Sequence, residues 1–328
     1  MKHNTKIRFS AALMMLVVMP GLIYAVGALF MGWKWAFVFP TLLIAAELYG
    51  TLYGWRHLVV KKCTCKSLLL PKSFEGYKVL QISDLHVGTF LETPHFVEKI
   101  VEKVNSLHPD VIVFTGDLVN IKATEAVPFV KILKKLNAPD GIYSVMGNHD
   151  YCEYGIPADK SFNKFTRQRW ALRNQHAMKF LQRQMGWRLL MNENVKITRQ
   201  NEHGKEESIH IIGVENISKP PFKDYGNMDK AMEGMKIGTF KILLTHDPSH
   251  WRRGVLGKTD IALTLSGHTH AAQLKLGNFS PAKWMYHEWG GKYVEDGSTL
   301  HVSLGVGGTM PFRLGAWPEI NGITLVRH

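Results

Sequence analysis

The sequence predicts a mixed α/β domain set behind two apolar helices. Three observations carry this reading. Short apolar strands recur from Tyr77 to the C-terminus, several of them ending on a polar cluster. Segments with apolar residues at helical spacing separate the earlier strands. Ahead of them stand two charge-poor runs, Phe9 to Trp33 and Trp35 to Trp55.

Composition bounds the answer first. The 328 residues are 45% hydrophobic and 20% charged, enough for a buried core and unlike a disordered chain. Forty Lys and Arg against 27 Asp and Glu give a formal charge of +13. That surplus suits an anionic partner, whether nucleic acid, phospholipid headgroup or phosphorylated substrate, and does not choose among them. Cys63, Cys65 and Cys152 cannot all pair, which rules out a small secreted disulfide scaffold.

The N-terminal runs come next. Phe9 to Trp33 contains no charged residue, and Trp35 to Trp55 contains only Glu47. About 20 residues rising ~1.5 Å each cross the hydrocarbon of a bilayer, so the expectation is a transmembrane helical hairpin, about 9–33 and 35–55. Trp33, Trp35, Tyr49, Tyr53 and Trp55 cluster toward the run ends, where amphipathic rings favour the interface. A cleaved signal peptide followed by a core helix is the alternative. Lys2, Lys6 and Arg8 precede the hairpin, Arg56, Lys61, Lys62 and Lys66 follow it, and only Lys34 lies between. The positive-inside bias then gives a multi-pass inner-membrane protein whose remainder is cytoplasmic. Glu47 is the weak point, since a carboxylate at mid-depth costs ~2.5–3.5 kcal/mol. Residues 1–66 are thus read as hairpin and basic linker, and 67–328 as one globular domain.

Within that domain, Tyr77–Ser83 and Val111–Thr115 read as buried strands, with Phe96, Ile100, Val101, Val104 and Leu107 at helical spacing between them. A helix over Thr124–Leu136 precedes a strand at Gly141–Met146. Further strands are expected at Ile209–Gly213, Lys241–Thr245, Ile261–Ser266, Leu300–Ser303 and Ile323–Val326. The polar clusters are Asp84-Leu85-His86, Gly116-Asp117, Gly147-Asn148-His149-Asp150, Thr245-His246-Asp247 and Ser266-Gly267-His268-Thr269-His270. Open α/β sheets put ligand sites at the carboxyl ends of strands, so these clusters can converge. Imidazoles and carboxylates suit divalent Mn, Fe or Zn. Asp84, His86, Asp117, Asn148, His246, His268 and His270 are enough for two ions if one carboxylate bridges them. Asp-x-His and His-x-His place alternate side chains on one side of an extended chain end.

These five motifs, in this order from about Tyr77 to the C-terminus, resemble those of the calcineurin-like metallophosphoesterases. The resemblance implies a four-layer α/β/β/α sandwich with a dinuclear metal centre at the strand ends. It implies that Asp84, His86 and His270 bind one metal and that Asn148, His246 and His268 bind the other, with Asp117 bridging. His149 would be the general acid, supported by Asp150, and Asn148 would help stabilise phosphoryl charge. The implied activity is hydrolysis of a phosphate ester or pyrophosphate by water activated between two cations. A hairpin ahead of such a domain is similar to the branch that includes membrane-bound UDP-2,3-diacylglucosamine hydrolases, which points to a lipid-linked or nucleotide-lipid substrate. A nuclease and a metal-free, membrane-tethered scaffold are the rival readings; no protein partner is implied.

Three features lie apart from the clusters. Between Asp159 and Arg183 seven bases meet one acid, with aromatic and Leu residues interleaved, which fits either a solvated helix packed on the domain or a basic cap near lipid or substrate. Arg313 follows the glycine-rich turn Gly307-Gly308, where a guanidinium fork suits a substrate phosphate or a structural ion pair. Trp284–Trp289 reads as a loop facing sheet or lipid.

Overall fold

In this computed structural model the residues described are 17–153, 164–218 and 223–328. The chain lays down β1 (Val59–Lys66), β2 (Lys78–Ile82), β3 (Val111–Phe114), β4 (Ile142–Ser144) and β5 (Arg188–Leu189) in a first sheet. A second sheet follows with β6 (Glu193–Gln200), β7 (Glu206–Gly213), β8 (Lys241–Leu244), β9 (Leu263–Ser266), β10 (Gly291–Glu295) and β11 (Ser298–Val302). The chain then returns to the first sheet with β12 (Glu319–Val326). The orders are β1-β12-β2-β3-β4-β5 and β10-β11-β9-β8-β7-β6.

Strands β2 to β5 run parallel, as do β7, β8, β9 and β11. Every residue of β3, β8 and β9 is buried, and β3, Val-Ile-Val-Phe, is the unbroken apolar run that a parallel strand covered on both faces favours. Their side chains alternate between two layers. Val79, Val111, Val113 and Ile323 meet Ile211, Ile242, Leu244 and Leu265 between the sheets. On the other side of the first sheet, Leu80, Ile82, Ile112 and Phe114 pack with Phe96, Ile100 and Val104 of α3 (Pro94–Asn105). Ile212, Leu243, Leu300 and Val302 on the second sheet pack with Ala231, Trp251 and Val255. Helical segments therefore cover the outer faces of two stacked sheets, the mixed α/β arrangement expected.

Several expectations are revised. The stretch read as a basic linker contains β1, which pairs in parallel with β12 over eight residues; Lys62 and Lys66 face outward and Cys65 inward. The helix expected over Thr124–Leu136 is a 3-10 segment, Ala123–Phe129, followed by one α-turn, Val130–Leu133, because Pro128 lacks the N–H that an α-helix interior uses. The segment Asp159–Arg183 begins in residues outside those described. Its remainder forms α4 (Lys164–Gln184), which lays Met178 and Leu181 on the first core and whose Gln182 accepts a hydrogen bond from Ser144.

The transmembrane hairpin is the main correction. The first expected span starts in residues outside those described. The rest forms α1 (Met19–Met31) and α2 (Val38–Leu52), of 13 and 15 residues, or about 20 and 22 Å at ~1.5 Å per residue. Hydrocarbon is ~30 Å thick. Among the described residues no helix is long and apolar enough to cross a membrane, so the multi-pass inner-membrane placement, and the cytoplasmic side deduced from it, do not stand. Gly32, at φ +76°, ends α1. Beyond α2 the chain tightens into a 3-10 turn, Gly54–Arg56, that packs on the domain: the buried Trp55 ring stacks on Phe90 at 5.7 Å.

Candidate metal centre

The polar clusters sit where the sequence places them, at the ends of β2, β3, β4, β8 and β9. Two donor groups result, Asp84, His86, Asp117 and His270 in one, and Asp117, His246 and His268 in the other. Within each group the ligand atoms lie within 4.8 Å of one another, and Asp117 belongs to both. Asp117 Oδ2 is 3.1 Å from His246 Nε2 and 3.6 Å from His86 Nε2. His270 Nε2 lies 3.3 Å from Asp84 Oδ1 and 3.2 Å from His86 Nε2, while His268 Nδ1 is 3.1 Å from His246 Nε2. Asn148 is buried and opens the 3-10 turn Asn148–Tyr151, directly before His149, whose N–H donates to Asp117 Oδ1 at 2.9 Å.

The backbone is bent to achieve this. Asp84, His86, Asp117, His268 and His270 all adopt left-handed backbone, with φ between 44° and 75°. Such residues persist only where their surroundings hold them, at ~1–3 kcal/mol each. Two glycines make room: a Cβ on Gly147 would fall 2.2 Å from Asp117 Oδ1, and one on Gly267 would fall 2.2 Å from Asp84 Oδ2.

Asp150 anchors two loops. Its Oδ2 accepts from the N–H groups of Asp117 at 2.8 Å and Gly147 at 3.0 Å. Its Oδ1 accepts from Leu118 at 2.8 Å and Val119 at 3.2 Å. His149 Nδ1 lies 2.6 Å from the Asn120 carbonyl. A carbonyl only accepts, so Nδ1 carries the proton and Nε2 is the nitrogen able to exchange one.

The donor set fits divalent cations. His246 Nδ1 must donate to the Thr115 carbonyl 2.8 Å away, which turns its Nε2 lone pair onto Asp117 Oδ2. Burial alone would lower His246, yet the Asp117 carboxylate lifts it to about 10, so this point of the cleft demands positive charge. Burial opposes ionisation of Asp117, but His246 and His149 hold it well below the usual carboxylate range. Burial pushes Asp84 up to about 6. Burial, with His246 beside it, lowers His268 to about 4; burial also brings His86 to about 3 and, with His86 and Arg313, holds His270 well below the usual value. These three imidazoles are therefore neutral, the form that ligates.

Two neighbours of the cluster were not legible as such. Tyr286, within the stretch read as a loop, places its hydroxyl 2.7 Å from His268 Nε2. Arg313, expected to meet a substrate phosphate, is 1% exposed. Its Nη1 donates to the Ala316 carbonyl at 2.8 Å, its Nη2 to Leu304 at 2.8 Å and also to Gly307, and Nη2 lies 3.1 Å from His270 Nδ1. The fork is wrapped in backbone carbonyls rather than turned toward substrate. Its only signal in the sequence was the glycine-rich turn before it.

Comparison with known proteins bears on the same residues. The model of the calcineurin-like phosphoesterase family matches residues 77–272, which contain all five motifs. An uncharacterized metallophosphoesterase of Bacillus subtilis, YkuE, is 30% identical over 306 residues, covering 88% of this chain and 94% of that protein. A transmembrane protein with metallophosphoesterase domain from Bos taurus is 32% identical over 262 residues, 78% of this chain and 54% of the relative, so the chain spans about half of that protein's length. The UDP-2,3-diacylglucosamine pyrophosphatase LpxG of Chlamydia muridarum is 26% identical over 339 residues, 87% of this chain and 96% of the relative. By the family match and by its likeness to YkuE, the chain belongs to the calcineurin-like phosphoesterase family.

Proposed function

We propose that the chain hydrolyses a phosphate ester or phosphoanhydride with two divalent cations, and that its substrate is a nucleotide-linked lipid pyrophosphate of the UDP-2,3-diacylglucosamine class. The sharing of Asp117 between two buried donor groups carries the reading. Asp84, His86, His270 and Asp117 would hold one cation, and Asp117, Asn148, His246 and His268 the other. When bound, such a pair draws a phosphoryl group in and makes water a competent nucleophile near neutral pH.

The chain's own side chains do the rest. Asn148 would stabilise charge developing on the phosphoryl oxygens. His149 would deliver a proton from Nε2 to the leaving oxygen in its doubly protonated form and return to the Nδ1–H tautomer held by the Asn120 carbonyl. Asp150 moves no proton in this scheme. It holds the loops after β3 and β4 in register, so that Asp117 and His149 keep their spacing. The substrate class rests on the likeness to LpxG, and exposed apolar side chains of α2 such as Leu42 and Leu52 suit an acyl-bearing molecule.

The test is metal analysis of the purified full chain beside hydrolysis assays with Mn²⁺. Bis-p-nitrophenyl phosphate, UDP-2,3-diacylglucosamine and an oligonucleotide serve as substrates. Two equivalents of metal and cleavage of the lipid pyrophosphate are expected. Cleavage of the oligonucleotide alone would favour a nuclease, and absence of both metal and turnover would favour a scaffold.

A further inference from the structure

A histidine that binds a cation through one ring nitrogen must carry its proton on the other, and that N–H then needs an acceptor. For His246 the acceptor is the Thr115 carbonyl, 2.8 Å from Nδ1. His268 is turned the opposite way round. Its Nδ1 faces the cluster, 3.1 Å from His246 Nε2, and its Nε2 lies 2.7 Å from the Tyr286 hydroxyl. The Asp247 carboxylate faces the same nitrogen, but its Oδ2 stands 3.9 Å away, too far for a hydrogen bond, and is buried without a partner. That negative charge favours the proton on Nε2. A hydroxyl can donate or accept, and with a carboxylate beside Nε2 and a cation beside Nδ1 it accepts. A local turn aims the tyrosine. The Ser280 hydroxyl caps the 3-10 turn Pro281–Trp284 by accepting from the Ala282 N–H at 3.1 Å, and donates to the Ala271 carbonyl at 2.6 Å. The Tyr286 N–H then donates to the Ala282 carbonyl at 2.8 Å. Trp284 and Met285 are left exposed, while Tyr286 is buried with its ring edge-on to His268 at 5.4 Å.

We propose that Tyr286 is a positioning residue for the metal subsite of Asp117, His246 and His268. With a cation on Nδ1, the His268 Nε2–H donates to the phenol oxygen, which holds both the tautomer and the tilt of the ring. Tyr286 also lines a cavity of about 120 Å³ with Ser249, Arg252 and Glu288. Without the hydroxyl, the Nε2–H would meet mobile water from that space in place of a fixed acceptor. Partners behind a ligating histidine typically set metal affinity by 10–100-fold. The donor group of Asp84, His86 and His270 shares only Asp117 with this subsite, so the effect falls on one of two ions.

This inference rests on the metal-binding reading above, and the experiment separates the two. Mn²⁺ binding to the full chain is followed by calorimetry in the wild type, Y286F and W284A. Y286F keeps the ring against His268 and removes only the oxygen. The wild type should bind two ions. Y286F should bind one with unchanged affinity and the other about 10–100-fold more weakly. W284A, which removes an exposed ring from the same turn, should leave both affinities alone. Diamagnetic Zn²⁺ then allows nitrogen NMR of histidine-labelled protein. His268 should be bound through Nδ1, with a slowly exchanging Nε2–H. Y286F should lose that N–H signal to solvent exchange and keep the one that His246 directs at Thr115. Two unaltered sites in Y286F, equal weakening of both, or Zn²⁺ on His268 Nε2 would overturn the proposal. An equal loss in W284A would trace the effect to the turn rather than to the hydroxyl, and would overturn it too. A wild type that binds no metal would instead remove the reading beneath it.

Discussion

Replacing Asp150 by Asn tests how the centre is held. The carboxylate receives four N–H groups, two on each oxygen. An Asn amide keeps one oxygen and sets its NH₂ against the other two N–H groups, whichever way it is turned. Two charge-assisted hydrogen bonds at ~1.5–3 kcal/mol each are lost, about 3–6 kcal/mol together. Metal should change this figure. Without a cation, burial and the nearby Asp117 charge push the Asp150 carboxyl up to about 7, so at neutral pH it is partly protonated and gains less from its donors. A cation that neutralises Asp117 removes that repulsion and restores the ionised form. D150N should therefore lose about 3–6 kcal/mol when loaded with Mn²⁺, roughly 6–24 °C in Tm, and clearly less in EDTA. Calorimetric melts of both proteins in both conditions, at pH 7, give the comparison. A loss below about 1 kcal/mol, or an equal loss with and without metal, would refute the reasoning.

Other expectations concern single groups. D117A should retain neither cation and no turnover, because both donor groups lose their shared oxygen; elemental analysis showing one retained ion would mean that Asp117 does not bridge. H149A should keep both ions and lose about 10²–10⁴ in kcat on substrates with poor leaving groups, less on p-nitrophenyl esters that need little protonation; loss of metal would reassign His149 as a ligand. His301, buried beside Gln81, is lowered by burial to about 4. Its folded value lies below its unfolded one, so the stability it contributes is present above about 6.5 and lost as pH falls toward 4. H301Q should flatten the acid limb of Tm against pH in that window, and an unchanged slope would exclude His301 as a source of it.

The sequence carried the central strands plainly, and the reason is physical. Val111–Phe114 is covered on both faces and apolar throughout, and Lys241–Leu244 departs from that only at Lys241, whose buried ammonium pairs with Asp260. Strand β6 alternates exposed and buried residues at the edge of its sheet, with Lys196 and Arg199 among them, so its own composition says little. The same holds for β1, whose lysines read as a basic linker until its pairing with β12 is known. The apolar runs at the N-terminus were legible as apolar and not as to length. Composition does not announce that Gly32 takes a left-handed conformation, nor that Gly54 and Trp55 turn into the domain.

The same distinction divides the metal centre. Asp84, His86, Asp117, His246, His268 and His270 are named by chemistry, since divalent cations need those donor types and strand ends bring them together. Arg313 and Tyr286 are named only by loops that close on the cluster, 43 and 18 residues along the chain from the rings they touch. Two buried side chains, Asp150 and Arg313, tie the loops around the cluster together. Asp150 gathers backbone donors from the loops after β3 and β4, and Arg313 gathers backbone acceptors from the loop after β11. Asp150 is satisfied by four main-chain N–H groups, and Arg313 by three main-chain carbonyls and a contact with His270 Nδ1. A salt bridge between the two would be no weaker as an interaction, but it would leave seven backbone groups without partners and five left-handed ligands without support.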